Sequence, residues 1–427
     1  MYQIEIKTEK IRNIQPGYVA IDCDPDEVQK MISAHFMTPM MFVYNGVAGI
    51  YESKYGIEST KRIILAIRKA KILDENISAI ALGGEGVSAA IKVLGPAEAK
   101  KIFSHLSTAG GAGLEFWVND RSFTALDSFP SRDAAYKAAN YSELLTVYDI
   151  NQGLKDKTVT IIADLNLEEP NPDDIKIQAL IDDIRFAKEN GAKKIIIMSH
   201  RGRPEDREER YSMKEYANIY THLLRSIGLL RPDEEVVFID DYVGEKYAKI
   251  ITDLRDGTIC ITENARFHKE EKSKDRDIVS RYIADIKNTT GTEVLIFSAA
   301  GSAHRKDATK KYLPEIIEKK AIGILMQKEI AEMSKLRNKK DGPILAIIQG
   351  AKSDKLQIVK EIFEKDLVDK IMVLGKLALN FYNGNEVAAQ IKNIAGNKLI
   401  LPKRMTIAQI PERLDEKQFI NYLKTQK

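Results

Sequence analysis

One short apolar run followed at once by basic side chains constrains the fold of this sequence most. Residues 195–198 have the length and the unbroken apolar character of a strand buried on both faces of a parallel sheet. His200, Arg201 and Arg203 follow that strand directly. Because open parallel sheets bind ligands at the carboxyl ends of their strands, the stretch predicts an anion site. A solvated basic loop is the simpler alternative when the stretch is considered alone.

The same pattern of a buried strand followed by polar or charged side chains recurs three more times. The predicted strands are 158–163, 258–262 and 293–297, and the residues that follow them are Asp164, Asn166, Arg266, His304 and Arg305. Any one of these residues alone is typical of a protein surface. Since crossover connections bring the ends of parallel strands to one edge of a sheet, we expect them to form a basic pocket for a small phosphorylated carboxylate.

Glycine-rich turns nearer the amino terminus predict a second kind of site. Gly83 and Gly84 follow a predicted strand at 77–82, and Gly110 and Gly111 stand in a similar strand–turn–helix context. Backbone amides in such turns can approach a phosphate, helped by the helix dipole, although glycines also serve close packing. The pair of turns favours a nucleotide site, but neither turn fits the Walker A or dinucleotide fingerprint.

A third turn follows the apolar strand at 40–44 and begins at Asn45. Glu52, a few residues later, has the chemistry to accept hydrogen bonds from sugar hydroxyls. When the stretch is considered alone, a plain Asn-Gly turn is the better explanation.

The composition excludes several classes of protein. A chain of 427 residues exceeds what one core holds and predicts two domains. The formal net charge of +3 and the interspersed charges lack the pattern of a nucleic-acid-binding protein. The only cysteines, Cys23 and Cys260, are far apart, and no apolar run approaches the length of a membrane span. We therefore expect a cytoplasmic, monomeric α/β protein that binds neither nucleic acid nor membranes.

Several segments together resemble the phosphoglycerate kinase family. Four of them have the order and spacing of the family's N-terminal domain, which binds 3-phosphoglycerate through a basic patch: 162–166, 198–204, 263–267 and 301–305. Residues 322–329 resemble the start of the family's interdomain helix. Residues 345–355 resemble its lysine-bearing loop, which reaches the nucleotide phosphates.

The resemblance implies reversible phosphoryl transfer between ATP and 3-phosphoglycerate, with Mg²⁺ bound to ATP or ADP, by hinge closure of two domains. No metal ligand is identified. The implied substrate-binding residues are Asp164, Asn166, His200, Arg203, Arg266 and Arg305. The residues implied to neutralise the moving phosphoryl are Lys176 and Lys352. The implied nucleotide-binding residues are Asn45, Glu52, Gly83, Gly84, Gly110, Gly111, Gly350, Lys352 and Lys355.

The order of the segments differs from that of the family. Residues 41–52, 80–90 and 104–115 resemble the last third of the family, yet they come first in this chain. Residues 155–325 match its first half, and 326–405 match the early part of its nucleotide domain. The chain therefore resembles a circular permutant, which exposed and neighbouring termini make physically plausible.

The expected architecture is two doubly wound, Rossmann-like parallel-sheet domains that flank a cleft. A continuous domain, 126–324, would bind 3-phosphoglycerate. A discontinuous domain, 1–125 plus 325–427, would bind the nucleotide. Asn171 and Pro172 predict the start of a helix that holds Lys176 in its first turn.

Departures from the family's pattern leave other functions open. Lys176 stands where the family has an arginine, and Glu85 and Gly86 stand where it has a third glycine and a metal-associated aspartate. The loop between Lys352 and Lys355 is one residue short, and the preceding glycine is replaced by glutamine. The alternatives are a catalytically impaired relative that binds a phospho-carboxylate or a protein partner, and a kinase with another acid substrate or altered metal use.

Overall fold

The protein is described by a computed structural model that covers residues 4–37, 39–119, 123–132, 143–167, 169–336, 342–353 and 355–426. The chain divides into two compact units. Met1–Val118 and Lys335–Lys427 form one unit, and Asn119–Ser334 forms the other. No helix in the described ranges is both long and apolar enough to cross a membrane.

The β-strands are short, as expected for α/β units. In chain order they are β1 (Ile6–Lys10), β2 (Tyr18–Cys23), β3 (Met41–Asn45), β4 (Ser78–Leu82), β5 (His105–Ser107), β6 (Thr158–Ile162), β7 (Lys194–Met198), β8 (Val237–Ile239), β9 (Thr258–Thr262), β10 (Val294–Phe297), β11 (Lys319–Ile322), β12 (Ile344–Ile348), β13 (Lys370–Val373), β14 (Leu399–Ile400) and β15 (Arg404–Gln409).

The α-helices alternate with most of these strands. In chain order they are α1 (Pro25–His35), α2 (Glu58–Leu73), α3 (Gly84–Leu94), α4 (Pro96–Ile102), α5 (Gly111–Val118), α6 (Ile175–Glu189), α7 (Lys214–Ser226), α8 (Glu245–Asp253), α9 (Arg276–Thr290), α10 (Leu313–Ile316), α11 (Ile324–Lys335), α12 (Lys355–Glu364), α13 (Lys376–Leu379), α14 (Glu386–Ala395) and α15 (Glu416–Lys424).

Local sequence signals explain where the helices begin and end, and α9 shows this well. The Asp275 side chain caps its amino end by accepting hydrogen bonds from two backbone N–H groups. Gly291 ends the helix in the left-handed conformation, with φ of 62°. Between these caps, Val279, Ile283 and Ile286 repeat at helical spacing and are buried.

Helix α6 begins later than the sequence predicts. It starts at Ile175, and the Asp174 side chain caps it by accepting a hydrogen bond from the backbone N–H of Lys176 at 2.8 Å. Asn171, the predicted cap, instead accepts a hydrogen bond from the backbone N–H of Asp173 in the preceding turn. Asn and Asp are almost equally good caps, so the sequence alone does not separate the two starts. Lys176 remains in the first turn.

The sheet of the Asn119–Ser334 unit contains six parallel strands in the order β11-β10-β6-β7-β9-β8. Strands β6, β7 and β10 are buried along their whole length, as their apolar sequences predict. The register aligns Phe297, Ile162 and Met198, the last residues of β10, β6 and β7. The loops that follow these strands therefore leave the sheet at the same edge.

The main sheet of the other unit also contains six parallel strands, in the order β14-β13-β12-β3-β4-β5. The two chain segments of this unit meet at β12 and β3, where Ile348 pairs with Asn45. A three-stranded antiparallel sheet, β1-β15-β2, lies in the same unit. The predicted fold class, two parallel-sheet α/β domains, is confirmed.

Candidate functional site

A cluster of basic side chains follows the strands of the Asn119–Ser334 sheet, and we call it the basic pocket. Its members are His200, Arg203, Arg266, His304 and Arg305. Burial, followed by the charges of Lys310, Arg266 and Arg305, holds the pKa of His200 well below its usual range. Burial, Arg266, Arg305 and Arg203 lower the pKa of Lys272. These charges therefore lie within electrostatic reach of one another, the arrangement that the strand ends predict.

Arg266 is more deeply buried than Arg305 or Arg203. Its Nη1 donates a hydrogen bond to the carbonyl of Gly202, and its backbone N–H donates to Asn264 Oδ1 at 3.0 Å. Its Nε and Nη2 are buried and have no hydrogen-bond partner among the described residues. Because buried donors without acceptors are energetically costly, these two nitrogens indicate a place for an oxyanion.

The two histidines of the basic pocket are neutral near pH 7. Burial first, and then Arg305, lowers the pKa of His304 to about 4. Burial and neighbouring cations keep the pKa of His200 low as well. In the described part of the chain, Nδ1 of each ring is buried without a hydrogen-bond partner. A neutral imidazole can donate or accept a hydrogen bond at that atom without adding charge to the pocket.

The remaining predicted substrate-side residues contact each other or the loop after β7. Lys176 Nζ lies 3.3 Å from Asp164 Oδ2, and both side chains are mostly buried. Asn166 Oδ1 accepts a hydrogen bond from the backbone N–H of Gly202 at 2.8 Å. Lys176 and Asp164, which the resemblance assigns to different parts of the reaction, thus form one ion pair.

Two arginines that look equivalent in the sequence have different environments. Arg201 is buried, donates a hydrogen bond to the Leu167 carbonyl at 3.1 Å, and lies over the Tyr216 ring. Arg203 is exposed. Between them, Gly202 has φ of 65°, a left-handed conformation that turns the chain. Arg201 therefore stabilises the loop, whereas Arg203 borders the pocket.

Sequence reasoning missed a buried lysine and its acids beside Arg266. Lys310 Nζ lies 2.7 Å from Asp307 Oδ2 and 3.6 Å from Glu271 Oε1. Lys310 belongs to a π-helical turn, Ala308–Tyr312, a conformation that is frequent at functional sites. In the sequence, Lys310 stands in a charged stretch that is typical of a solvated surface. Asp307, three residues before Lys310, was the one sequence feature that could have indicated this ion pair.

The two predicted glycine-rich turns lie side by side in the other unit, because β4 and β5 are paired. Gly83 and Gly110 have φ of 102° and 62°, and a Cβ on Gly83 would lie 3.6 Å from the Cα of Gly110. Gly84 and Gly111 are the first residues of α3 and α5, and a Cβ on either would meet no atom of the described residues within 4 Å. The side-chain position at each helix start is thus unobstructed, and a helix amino end suits phosphate.

Hydrogen bonds around Lys355 join the ends of β3, β4 and β12. Lys355 Nζ donates to Asn45 Oδ1 at 2.8 Å and to the Gln349 carbonyl at 2.6 Å. Asn45 Nδ2 donates to the Leu82 carbonyl at 2.9 Å. Gly350 has φ of 122°, and a Cβ there would lie 3.3 Å from Lys355 Nζ. Asn45, Gly350 and Lys355 therefore lie together, as the nucleotide-site prediction requires.

Two other predicted nucleotide-side residues lie in more peripheral positions. Glu52 Oε1 lies 3.2 Å from Lys424 Nζ, on the carboxyl-terminal helix α15. Lys352 is exposed, and its backbone carbonyl accepts a hydrogen bond from the Lys355 N–H at 3.4 Å. The structure therefore does not bring the Glu52 carboxylate to Lys355, and a free sugar-binding role for it would need the Lys424 pair to open.

The position of Gly86 explains why an aspartate would fit poorly there. Gly86 is buried, and a Cβ on it would lie 3.0 Å from the backbone nitrogen of Gly46. A longer side chain would force the turn after β3 to move. Glu85 is exposed in the first turn of α3. Among the described residues, no three His, Cys, Asp or Glu side chains form a metal-binding cluster.

The low pKa of His304 predicts a pH-dependent stability. In the unfolded chain the histidine titrates near its ordinary value of 6.5, and in the folded protein near 4. The stability that this folded, neutral environment of His304 contributes is therefore complete above about pH 6.5 and is lost as the pH falls toward 4, by about 3 kcal/mol in total.

We expect urea unfolding of the His304→Gln variant to depend less on pH than that of the wild type between pH 6.5 and 4. The raised pKa values of Asp22 and Asp183 act in the opposite direction, but they are shared by both proteins and cancel in the difference. Parallel pH profiles of the two proteins would contradict this account of His304.

Comparison with known proteins identifies the family. A family model described as "Phosphoglycerate kinase" matches residues 2–119 and 147–418. The phosphoglycerate kinase of Aquifex aeolicus (strain VF5) is 31% identical over 274 residues, which cover 61% of this chain and 64% of that protein. That of Plasmodium falciparum (isolate 3D7) is 32% identical over 275 residues, which cover 60% and 62%. This chain thus spans less than two thirds of the length of either relative.

A solved structure supports the fold independently. The crystal structure of phosphoglycerate kinase from Pyrococcus horikoshii OT3 is similar with a TM-score of 0.52 at 23% sequence identity. The similarity covers 63% of this chain and 72% of that one. At this identity, the likeness concerns the fold alone. Because the family model matches most of its length, the chain belongs to the phosphoglycerate kinase family.

Proposed function

We propose that the protein transfers a phosphoryl group reversibly between ATP and 3-phosphoglycerate. The observation that carries the proposal is Arg266, whose buried Nε and Nη2 lack a hydrogen-bond partner among the described residues, next to neutral His200. A small anion in the basic pocket would satisfy these groups. Family membership makes 3-phosphoglycerate, with its phosphate and its carboxylate, the leading candidate.

The pocket and the residues beside it offer side chains for the substrate's two anionic groups and for its hydroxyl. Arginine is the residue best shaped for bidentate binding of phosphate or carboxylate, and Arg203, Arg266 and Arg305 provide three such groups. Asp164 and Asn166 provide acceptors and an amide for the substrate hydroxyl. We propose that Asp164 exchanges part of its ion pair with Lys176 for this hydroxyl when the substrate binds.

The chemical step forms one bond and breaks one. A carboxylate oxygen of 3-phosphoglycerate attacks the γ-phosphorus of ATP, the bond between that phosphorus and the ADP oxygen breaks, and an acyl phosphate and ADP result. Such transfer depends on positioning and on neutralising the charge of the phosphoryl in flight. We assign that neutralisation to Lys176 and Lys352, which belong to different units, and we propose that hinge closure accompanies the reaction.

The glycine turns and Lys355 would hold the nucleotide. The open amino ends of α3 and α5 at Gly84 and Gly111 suit its phosphates, and Lys355 lies beside Gly350 at the end of β12. Magnesium is expected to arrive with ATP or ADP, held by phosphate oxygens and water, since the described residues offer no cluster of metal ligands.

We also propose that the chain is a circular permutant of its family, with domains at 126–324 and at 1–125 plus 325–427. The pairing of β3 with β12, strands from opposite ends of the sequence, supports this proposal. Both described cysteines are free and buried, in keeping with a reducing cytoplasm. We propose that the protein acts as a monomer.

The second candidate is a binding protein without turnover. The observation that favours it is the close packing of Gly86 against Gly46, where a side chain would require the turn after β3 to shift, together with the exposed acid Glu85 in a predicted phosphate site. Such a protein would bind 3-phosphoglycerate but would transfer phosphate slowly or not at all.

A coupled assay with 3-phosphoglycerate, ATP and Mg²⁺ separates the two candidates. The proposed function predicts ADP formation that depends on 3-phosphoglycerate and saturates with it. Calorimetric titration of 3-phosphoglycerate into the protein, without nucleotide, measures substrate binding alone. Binding without turnover would favour the second candidate, and absence of both would refute the assignment of the basic pocket.

A further inference from the structure

Asp307 places a negative charge within a pocket that is otherwise basic. Its Oδ2 lies 2.7 Å from Lys310 Nζ and 3.9 Å from Arg266 Nη2. One carboxylate oxygen therefore faces two cations, and the shorter contact is to the lysine. The side chains of Lys310 and Arg266 are only 2% and 1% exposed, so bulk water screens neither charge.

Lys310 is held in place from its other side. Glu271 Oε1 lies 3.6 Å from Lys310 Nζ, and the Glu271 side chain is fully buried. The backbone N–H and the hydroxyl of Thr309 both donate hydrogen bonds to Glu271, at 3.0 Å and 2.6 Å. Glu271 is thus fixed by its own partners, and it fixes the ammonium that binds Asp307.

Asp307 does not accept a hydrogen bond from Arg266 Nη2. The distance of 3.9 Å from Nη2 to Asp307 Oδ2 is an electrostatic contact but not a hydrogen bond. A movement of Asp307 by about 1 Å would close that gap to hydrogen-bond length. The 2.7 Å contact with Lys310 opposes this movement. While it persists, Nη2 stays available to a ligand.

We propose that Asp307 is an internal counter-ion that competes with the bound anion for Arg266, and that Lys310 is a positioning residue that limits this competition by holding Asp307. This inference rests on the proposed function only in taking the basic pocket as the substrate site. Anion affinity is then set in part by a pair of side chains behind the arginine, and the two members of the pair act in opposite directions.

The test is calorimetric titration of 3-phosphoglycerate, and separately of inorganic phosphate, into four proteins at fixed pH and salt. The proteins are the wild type, Asp307→Asn, Lys310→Met and the double variant. Asp307→Asn keeps the shape of the side chain and removes its charge, so we expect binding about three- to tenfold tighter. Lys310→Met frees Asp307 to pair with Arg266, so we expect binding about tenfold weaker. The double variant should return to within about threefold of the wild type.

The opposite signs distinguish this role from a merely structural one. If the pair only supports the fold, both single variants weaken binding or neither does, and either result overturns the inference. Thermal unfolding checks that each variant is folded; if Lys310→Met is not, Asp307→Asn alone decides, since unchanged or weaker binding in that variant refutes the competition. A wild type that binds neither ligand would overturn the pocket assignment itself, and the inference with it.

Discussion

Replacement of Arg266 by alanine should weaken the binding of 3-phosphoglycerate by tenfold or more. Its side chain is 1% exposed, and Nε and Nη2 are the buried donors that lack partners among the described residues. A hydrogen bond to a charged group contributes about 1.5–3 kcal/mol, which corresponds to at least tenfold in affinity. Calorimetric titration of 3-phosphoglycerate into the folded variant measures the loss.

Arg231→Ala is the matched control for this prediction. Arg231 lies in the same unit, is 68% exposed and pairs with Asp233 and Glu234 at the surface, so we expect unchanged affinity. Arg203→Ala should have a smaller effect than Arg266→Ala, because Arg203 is exposed and its charge is better screened. Equal affinities of the Arg266→Ala variant and the wild type would show that the basic pocket is not the substrate site.

Replacement of Gly323 by alanine should destabilise the protein by about 3 kcal/mol. Gly323 lies between β11 and α11, and a Cβ there would be 1.9 Å from Ser298 Oγ and 2.7 Å from Asp183 Oδ1. Ser298 donates a hydrogen bond to the buried Asp183 carboxylate, which also accepts one from the Ile324 N–H at the start of α11. The methyl group would break this arrangement, and the urea midpoint should fall accordingly.

The double variant Ser298→Ala/Gly323→Ala tests whether the clash is the cause. Without the Ser298 hydroxyl the alanine at 323 has more room, so the double variant should be less destabilised than the sum of the two single variants. Strictly additive free energies of unfolding would show that Gly323 matters for another reason. Gly84→Ala is the control, since a Cβ at Gly84 meets no described atom within 4 Å.

Strand ends were predictable because the signal is local. The apolar run at 195–198 is typical of a buried central strand, and β7 occupies Lys194–Met198. Once the strands are parallel, their register alone aligns the loops that follow them. The proximity of His200, Arg266 and Arg305 can therefore be predicted without knowing any individual side-chain contact. Asn45, Gly83 and Gly350, which the resemblance assigns to the nucleotide, likewise lie at or just after the ends of β3, β4 and β12.

Which charged side chains are buried was not predictable, because burial is decided by residues far away in the sequence. Arg201 and Arg203 flank the same glycine, yet of the two it is Arg201 that donates a hydrogen bond to the Leu167 carbonyl and lies over the Tyr216 ring. Glu52 pairs with Lys424, hundreds of residues later. Lys310 is hidden by Glu271 and Asp307 in a turn whose sequence is typical of a surface. Such contacts cannot be predicted from local sequence patterns.

The most direct test of the central claim follows the phosphoryl group itself. The protein is incubated with Mg²⁺, 3-phosphoglycerate and ATP labelled in the γ-phosphoryl, and the products are separated and counted. Phosphoryl transfer predicts label in an acid-labile acyl phosphate of 3-phosphoglycerate, and Arg266→Ala should reduce it at limiting substrate. Label that remains in ATP, or appears only as inorganic phosphate while 3-phosphoglycerate demonstrably binds, would contradict the proposed kinase.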